Sequence, residues 1–164
     1  MARIAGAFAS GVDYVQLRTK NLDGGELLRL AMEAARLRSG GKLLVNDRLD
    51  VALAAGADGL HLPSKRPSAG EYRRISPAGL FISVACHSVE DVQRARDDGA
   101  DMAVLAPIFE SPGKGPAIGL AALERACRVG IPVLALGGVT SENAGLCMQA
   151  GAAGVAGIRM FEGV

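Results

Sequence analysis

Short apolar runs recur along the chain, spaced by stretches with helical periodicity, and most run out into polar residues or glycine. They are Tyr14–Leu17, Leu43–Val45, Gly59–Leu62, Leu80–Val84, Met102–Leu105, Val133–Leu136 and Gly154–Ile158. Strand alternating with helix in this way predicts parallel βαβ units with right-handed crossovers. In such an array every strand C-terminus lies on one side, so the residues just past each run converge on a shared mouth.

The intervening segments carry their own signals. Ala2–Ser10, Asp50–Ala55, Val89–Asp98 and Ser141–Ala150 read as helices, with Ser88 and either Thr140 or Ser141 as N-caps. Glu90, Asp91 and Glu142 fall in first turns, where the helix dipole favours negative charge. A weak repeat, Gly56-Ala57-Asp58, Gly99-Ala100-Asp101 and Gly151-Ala152-Ala153, places a glycine just past a helix and just before a strand.

Two architectures carry this order: a closed (β/α)8 TIM-type barrel or an open doubly wound sheet. The barrel is favoured, because Gly137-Gly138 and Gly157 sit in the last two units, where barrels place phosphate sites. An open sheet more often carries its glycine fingerprint after the first strand, and none is there. The expectation is therefore an α/β single domain over 1–164, a (β/α)8 barrel lacking the first strand and last helix. Its gap falls between the strands near Leu17 and Ile158. Open edges of this kind call for a covering partner, so a homodimer is expected.

Composition narrows the function. At 164 residues and 49% hydrophobic, with 22 glycines, the chain suits a buried parallel sheet with tight turns. A net charge of +1, two Tyr, four Phe and no Trp give neither a global field nor a stacking platform for nucleic acid. No apolar run approaches the roughly 20 residues of a membrane span. Three scattered cysteines without a C-x-x-C pair fit a reducing cytoplasm better than a disulfide framework or zinc site.

The chemistry lies at the run ends. Gly137-Gly138 before a helix start, with Gly157 in the next unit, leaves backbone N–H groups open to an anion, as a phosphate cup requires. Arg18 and Lys20 are placed to clamp a phosphate or diphosphate. In Asn46-Asp47-Arg48, Asp47 is a candidate ligand for Mg²⁺, Arg48 a structural partner for it, and Asp50 a helix cap. His87, at a strand end, is placed for proton transfer near neutral pH. His61 lies inside a strand and reads as a packed core residue, and alternation turns Cys86 away from His87 into packing. The Pro107–Gly115 segment reads as a mobile lid carrying Lys114.

Gln16-Leu17-Arg18-x-Lys20, Asn46-Asp47-Arg48, Gly56–Leu62, Pro107-Ile108-Phe109…Lys114 and Gly137-Gly138 together resemble the thiamine phosphate synthase/TenI family, in order and over nearly the whole chain. The resemblance implies a (β/α)8 barrel binding a thiazole phosphate at its C-terminal face. It implies Arg18, Lys20 and Asn46 for substrate, Gly137, Gly138 and Gly157 for phosphate, and His87 and Lys114 for catalysis. Synthases in the family join thiazole phosphate to an aminopyrimidine diphosphate with Mg²⁺, for which Asp47 would be a metal ligand. TenI-type members need no metal and isomerise a thiazole carboxylate phosphate by proton transfer. Where synthases continue Gly-Gln-Glu-Asp after His61-Leu62, this chain reads Pro63-Ser64-Lys65-Arg66. Leu62-Pro63-Ser64 and Val84-x-x-His87-Ser88 look TenI-like, so a thiazole tautomerase with His87 as base and acid is the leading expectation. The synthase is the alternative, and a non-catalytic thiazole phosphate-binding or regulatory protein is a third reading.

Overall fold

The structure is a computed structural model describing residues 1–19, 21–111, 113 and 115–161, with Arg159 described by its backbone alone. Its elements follow in strict alternation: α1 (Ala2–Ala9), β1 (Tyr14–Leu17), α2 (Gly24–Arg36), β2 (Lys42–Asn46), α3 (Leu49–Ala54), β3 (Gly59–Leu62) and α4 (Ala69–Ile75). Then come β4 (Phe81–Cys86), α5 (Val89–Asp97), β5 (Met102–Leu105), α6 (Gly119–Cys127), β6 (Val133–Ala135), α7 (Ala144–Gln149) and β7 (Gly154–Val155). A single 3-10 turn, Arg159–Phe161, follows.

The strands form one parallel sheet in chain order, β1-β2-β3-β4-β5-β6-β7. Among the described residues β1 pairs only with β2 and β7 only with β6, so the sheet is a curled, unclosed barrel with the expected gap. No helix among the described residues is long and apolar enough to cross a membrane.

Alternation along the strands divides the side chains into two populations. Val15, Leu17, Leu43, Val45, Leu60, Leu62 and Ile82 pack outward against α2 and α3 through Leu27, Ala31, Ala34, Val51 and Ala52. Ala103, Leu105, Val133 and Ala135 do the same against Val92, Ala95, Leu123 and Ala126 of α5 and α6. The inner face holds a smaller apolar layer of Leu44, Met102 and Val104 with Tyr14, Phe81, Leu134 and Leu136. Gly59 belongs there too: a Cβ on it would lie 2.9 Å from Leu44 Cδ2 and 2.8 Å from Phe81 Cβ.

The starts of α2 and α5 are set by short polar side chains. Asp23 opens α2 with a capping box, accepting from the Glu26 amide at 2.8 Å and donating its own amide to Glu26 Oε2 at 3.0 Å. Ser88 accepts from the Asp91 amide at 3.1 Å, as the sequence predicts, with Glu90 and Asp91 in the first turn of α5. The glycines of the weak repeat, Gly56, Gly99 and Gly151, take left-handed φ of 64°, 76° and 92° just past their helices.

Two helix starts depart from expectation. The last helix begins at Ala144 rather than near Ser141, because the Thr140 amide donates to Asn143 Oδ1 at 2.8 Å and folds 140–143 into a turn. Asn143 Nδ2 then reaches back to the Gly138 carbonyl at 2.9 Å. Nor does Asp50 cap α3. The N-cap is Arg48, and Asp50 sits in the first turn, accepting from Arg48 Nε at 2.8 Å and Nη2 at 2.6 Å. Arg48 therefore serves Asp50, not Asp47.

Candidate active site

The strand ends assemble the mouth from neighbouring pairs of loops. On the β1–β2 side, Gln16 Nε2 donates to Asn46 Oδ1 at 3.0 Å, fixing both amides on the inner face. Arg18 follows directly after β1 and is exposed.

Asp47 comes directly after β2. It is the one described non-glycine residue with a left-handed backbone, φ 65°, a conformation that costs about 1–3 kcal/mol and persists only when its surroundings enforce it. Here the Asp47 amide donates to the His61 carbonyl at 2.9 Å, and its carboxylate is ion-paired with the Arg66 guanidinium. The sequence reading missed this partner, which lies 19 residues away in the β3–α4 turn. The one available signal was a cation in place of a carboxylate.

Behind that pair lies His61, buried, with Nδ1 2.8 Å from Ser83 Oγ. Burial, and secondarily the charge of Arg18, lower its pKa to about 4, so the ring is neutral at physiological pH. It is a packed core residue, as expected.

His87 is different. Its backbone amide donates to Asp91 Oδ2 at 2.8 Å, tying it to the start of α5, and its Nδ1 lies 2.8 Å from the Ala106 carbonyl oxygen. A carbonyl only accepts, so Nδ1 carries the hydrogen, and the neutral ring offers the Nε2 lone pair. His87 is exposed just past the end of β4. Cys86, one residue earlier, is fully buried on the outer face, and burial pushes its thiol up to about 12. It is packing, not a nucleophile.

Ala106 leads into the β5–α6 loop, which the glycine pair supports. Gly137 and Gly138 take φ of 92° and 66°. A Cβ on Gly137 would lie 2.7 Å from Pro107 Cα, and one on Gly138 2.8 Å from Phe109 Cβ and 2.5 Å from the Glu110 carbonyl. Ile108 and Phe109 amides donate to the Leu136 and Gly137 carbonyls at 2.9 and 3.0 Å. Both glycines are thus demanded by this loop whether or not a ligand binds. Among the described residues their own amides find no acceptor, leaving them available to an anion.

The same bonds narrow the expected lid: Ile108 and Phe109 are tied to the residues just past β6, and Ile108 is fully buried. Gly157 lies past β7, where a Cβ would meet Met160 Cγ at 2.8 Å. Lys20 and Lys114 lie outside the described residues, as does the side chain of Arg159.

Two halves of a mouth result, one cationic from Arg18 and Arg66, the other amide-lined from Gly137 and Gly138, with His87 between them in strand order. A Mg²⁺ ion of the kind the resemblance implies for a synthase does not fit the described side chains. Mg²⁺ is held by one or two free carboxylates with substrate oxygens. Asp47 is already neutralised by Arg66, and no group of three His, Cys, Asp or Glu among the described residues is arranged to hold a metal.

Comparison with known proteins places the chain in a family. The sequence profile described as thiamine monophosphate synthase matches residues 1–161. The chain is 44% identical to a thiamine-phosphate synthase of Methanoculleus marisnigri over 99% of its own length and 79% of that protein's. It is 42% identical to a putative thiamine-phosphate synthase of Geobacter sulfurreducens, covering 95% and 76%. Among solved structures, thiamine phosphate pyrophosphorylase from Pyrococcus furiosus superposes with a TM-score of 0.88 at 30% identity, covering 96% of this chain and 78% of that one. This chain belongs to the thiamine monophosphate synthase family.

Proposed function

We propose that this chain joins a thiazole phosphate to an aminopyrimidine delivered as its diphosphate, forming thiamine phosphate and releasing diphosphate. The observation that carries the reading is the 44% identity, across 99% of the chain, to a relative named for that product. The mouth's division supports it. Two anionic groups need two docking places, and Arg18 with Arg66 suits the diphosphate, while the open amides of Gly137 and Gly138 suit the thiazole phosphate. In the reaction a thiazole nitrogen forms the new C–N bond as the pyrimidine C–O bond to diphosphate breaks, so the developing negative charge falls on the cationic half. The enzyme on this reading is cytoplasmic and takes small-molecule substrates, with no role for nucleic acid or membrane.

A second reading, thiazole tautomerisation by proton transfer, is favoured by one specific arrangement. His87 has Nδ1 committed to Ala106 and Nε2 free, the state a general base requires. Such an enzyme needs no diphosphate clamp and no metal.

Incubating the protein with thiazole phosphate and the pyrimidine diphosphate, and separately with thiazole carboxylate phosphate, with and without Mg²⁺, separates the readings by product. Thiamine phosphate supports the first. Isomerised thiazole without thiamine phosphate overturns it in favour of the second. Binding of thiazole phosphate with neither product makes the chain a binding or regulatory protein.

A further inference from the structure

The Asp47–Arg66 pair is built from two constrained backbones. Asp47 is held in its left-handed conformation by the bond from its amide to His61. Arg66 closes the turn after β3, its amide donating to the Pro63 carbonyl at 3.2 Å. The two side chains are unequally covered: 20% of Asp47 and 51% of Arg66 is exposed. The carboxylate is therefore mostly covered, and the guanidinium is open to solvent beside the end of β3.

A guanidinium has five N–H donors in a planar fork. Asp47 takes a bond from Nη2, which leaves donors directed elsewhere. A carboxylate behind and open donors in front is how a protein fixes a cation for an incoming oxyanion without letting the side chain wander. Two further features point the same way. Arg18 lies near enough for its charge to act on His61, beside the same pair. Asp50 does not compete for Arg66, being occupied by Arg48.

We propose that Arg66, held by Asp47, is the fixed cation of this mouth and binds the phosphoryl oxygens of a diphosphate ester directly, so that anion binding here is independent of divalent metal. This rests on the reading that the mouth takes phosphorylated substrates, and it assigns Asp47 to positioning Arg66 rather than to holding a metal. Diphosphate thus meets an arginine fork where a metal-dependent enzyme would offer Mg²⁺ between carboxylates.

The test is calorimetric titration of the full chain with inorganic diphosphate, in chelator and in Mg²⁺. Binding in chelator at least as tight as in Mg²⁺ is expected, since Mg²⁺ competes for the free diphosphate, and Arg66→Gln should weaken binding by about tenfold or more, the loss of a charge-assisted fork contact. Arg66→Lys, which keeps the charge but not the fork, should fall between. Arg66→Asp, which restores a second carboxylate beside Asp47, should make whatever binding remains depend on Mg²⁺. Loss of wild-type binding on chelation overturns the proposal, and this arm needs no variant to fold. So does an Arg66→Gln protein that binds like wild type, or a wild type that binds no diphosphate in either buffer. Product formation separates this from the proposed function. Thiamine phosphate made only with Mg²⁺ leaves that function standing and sinks the arginine; metal-free diphosphate binding without any product does the reverse.

Discussion

Nδ1 of His87 lies 2.8 Å from the carbonyl oxygen of Ala106, and the next residue, Pro107, is the surface on which Gly137 rests. The imidazole and the glycine pair are thus joined through one loop and cannot shift independently.

Replacing His87 separates the two candidate reactions. If proton transfer is the chemistry, His87→Ala should lower turnover of thiazole carboxylate phosphate by roughly 10²–10⁴-fold while thiazole phosphate still binds. His87→Gln, which keeps a donor for Ala106 but no titratable nitrogen, should be as inactive. Quantifying both thiazole isomers by chromatography reads this out, and full turnover in either variant would remove His87 from the chemistry.

Gly138→Ala should destabilise the fold by about 1–3 kcal/mol, because the added methyl meets the Glu110 carbonyl and Phe109 Cβ at a positive φ. Urea unfolding measures this. Gly145→Ala, where no atom lies within 4 Å of an added Cβ, is the control that should not weaken the protein.

The buried His61 gives a pH signature. Its pKa falls from 6.5 to about 4 on folding, so the unfolded chain binds more protons between those values. Its contribution is complete above about pH 6.5 and is lost as the pH falls toward about 4, amounting to about 3 kcal/mol. A His61→Gln variant should show a flatter dependence of urea midpoint on pH over this window; parallel profiles would show that the ring titrates normally.

β1 and β7 each present one unpaired edge among the described residues, and Ile158, 70% exposed, lies just past β7. A homodimer covering this gap is expected. Light scattering on the eluting protein checks it, and a stable monomer at high concentration would overturn it.

The fold was legible because its signals are local. Six of the seven apolar runs match observed strands to within two residues at each end, since burial on both faces of a parallel strand writes itself as a continuous apolar run. The run Gly154–Ile158 was read too long: the ladder ends at the Ala156 amide, which donates to Ala135, and Gly157 then turns against Met160. Pairings across the sheet were not legible. Asp58 and Asp101 of the weak repeat carry no local sign of their partners. Each accepts the second amide of a neighbouring strand, Leu43 of β2 and Ile82 of β4 respectively, at 2.7 Å, and each is ion-paired with an arginine, Arg38 and Arg73. Arg66 escaped for the same reason, since nothing in its immediate neighbours announces a carboxylate on another strand.

The division of β1 and β3 into an outward apolar row and an inward row that carries polar side chains has an evolutionary consequence. Val15 and Leu17 hold helices while Gln16 between them reaches Asn46; Leu60 and Leu62 do so while His61 reaches Ser83. Substitutions at exposed inward positions such as Gln16 can retune the chemistry with little effect on stability, and those on the outward row the reverse. A one-residue insertion or deletion within any strand exchanges the rows and destroys both at once. Diversification of such a scaffold is therefore confined to point changes in the strands and to length changes in the loops beyond them.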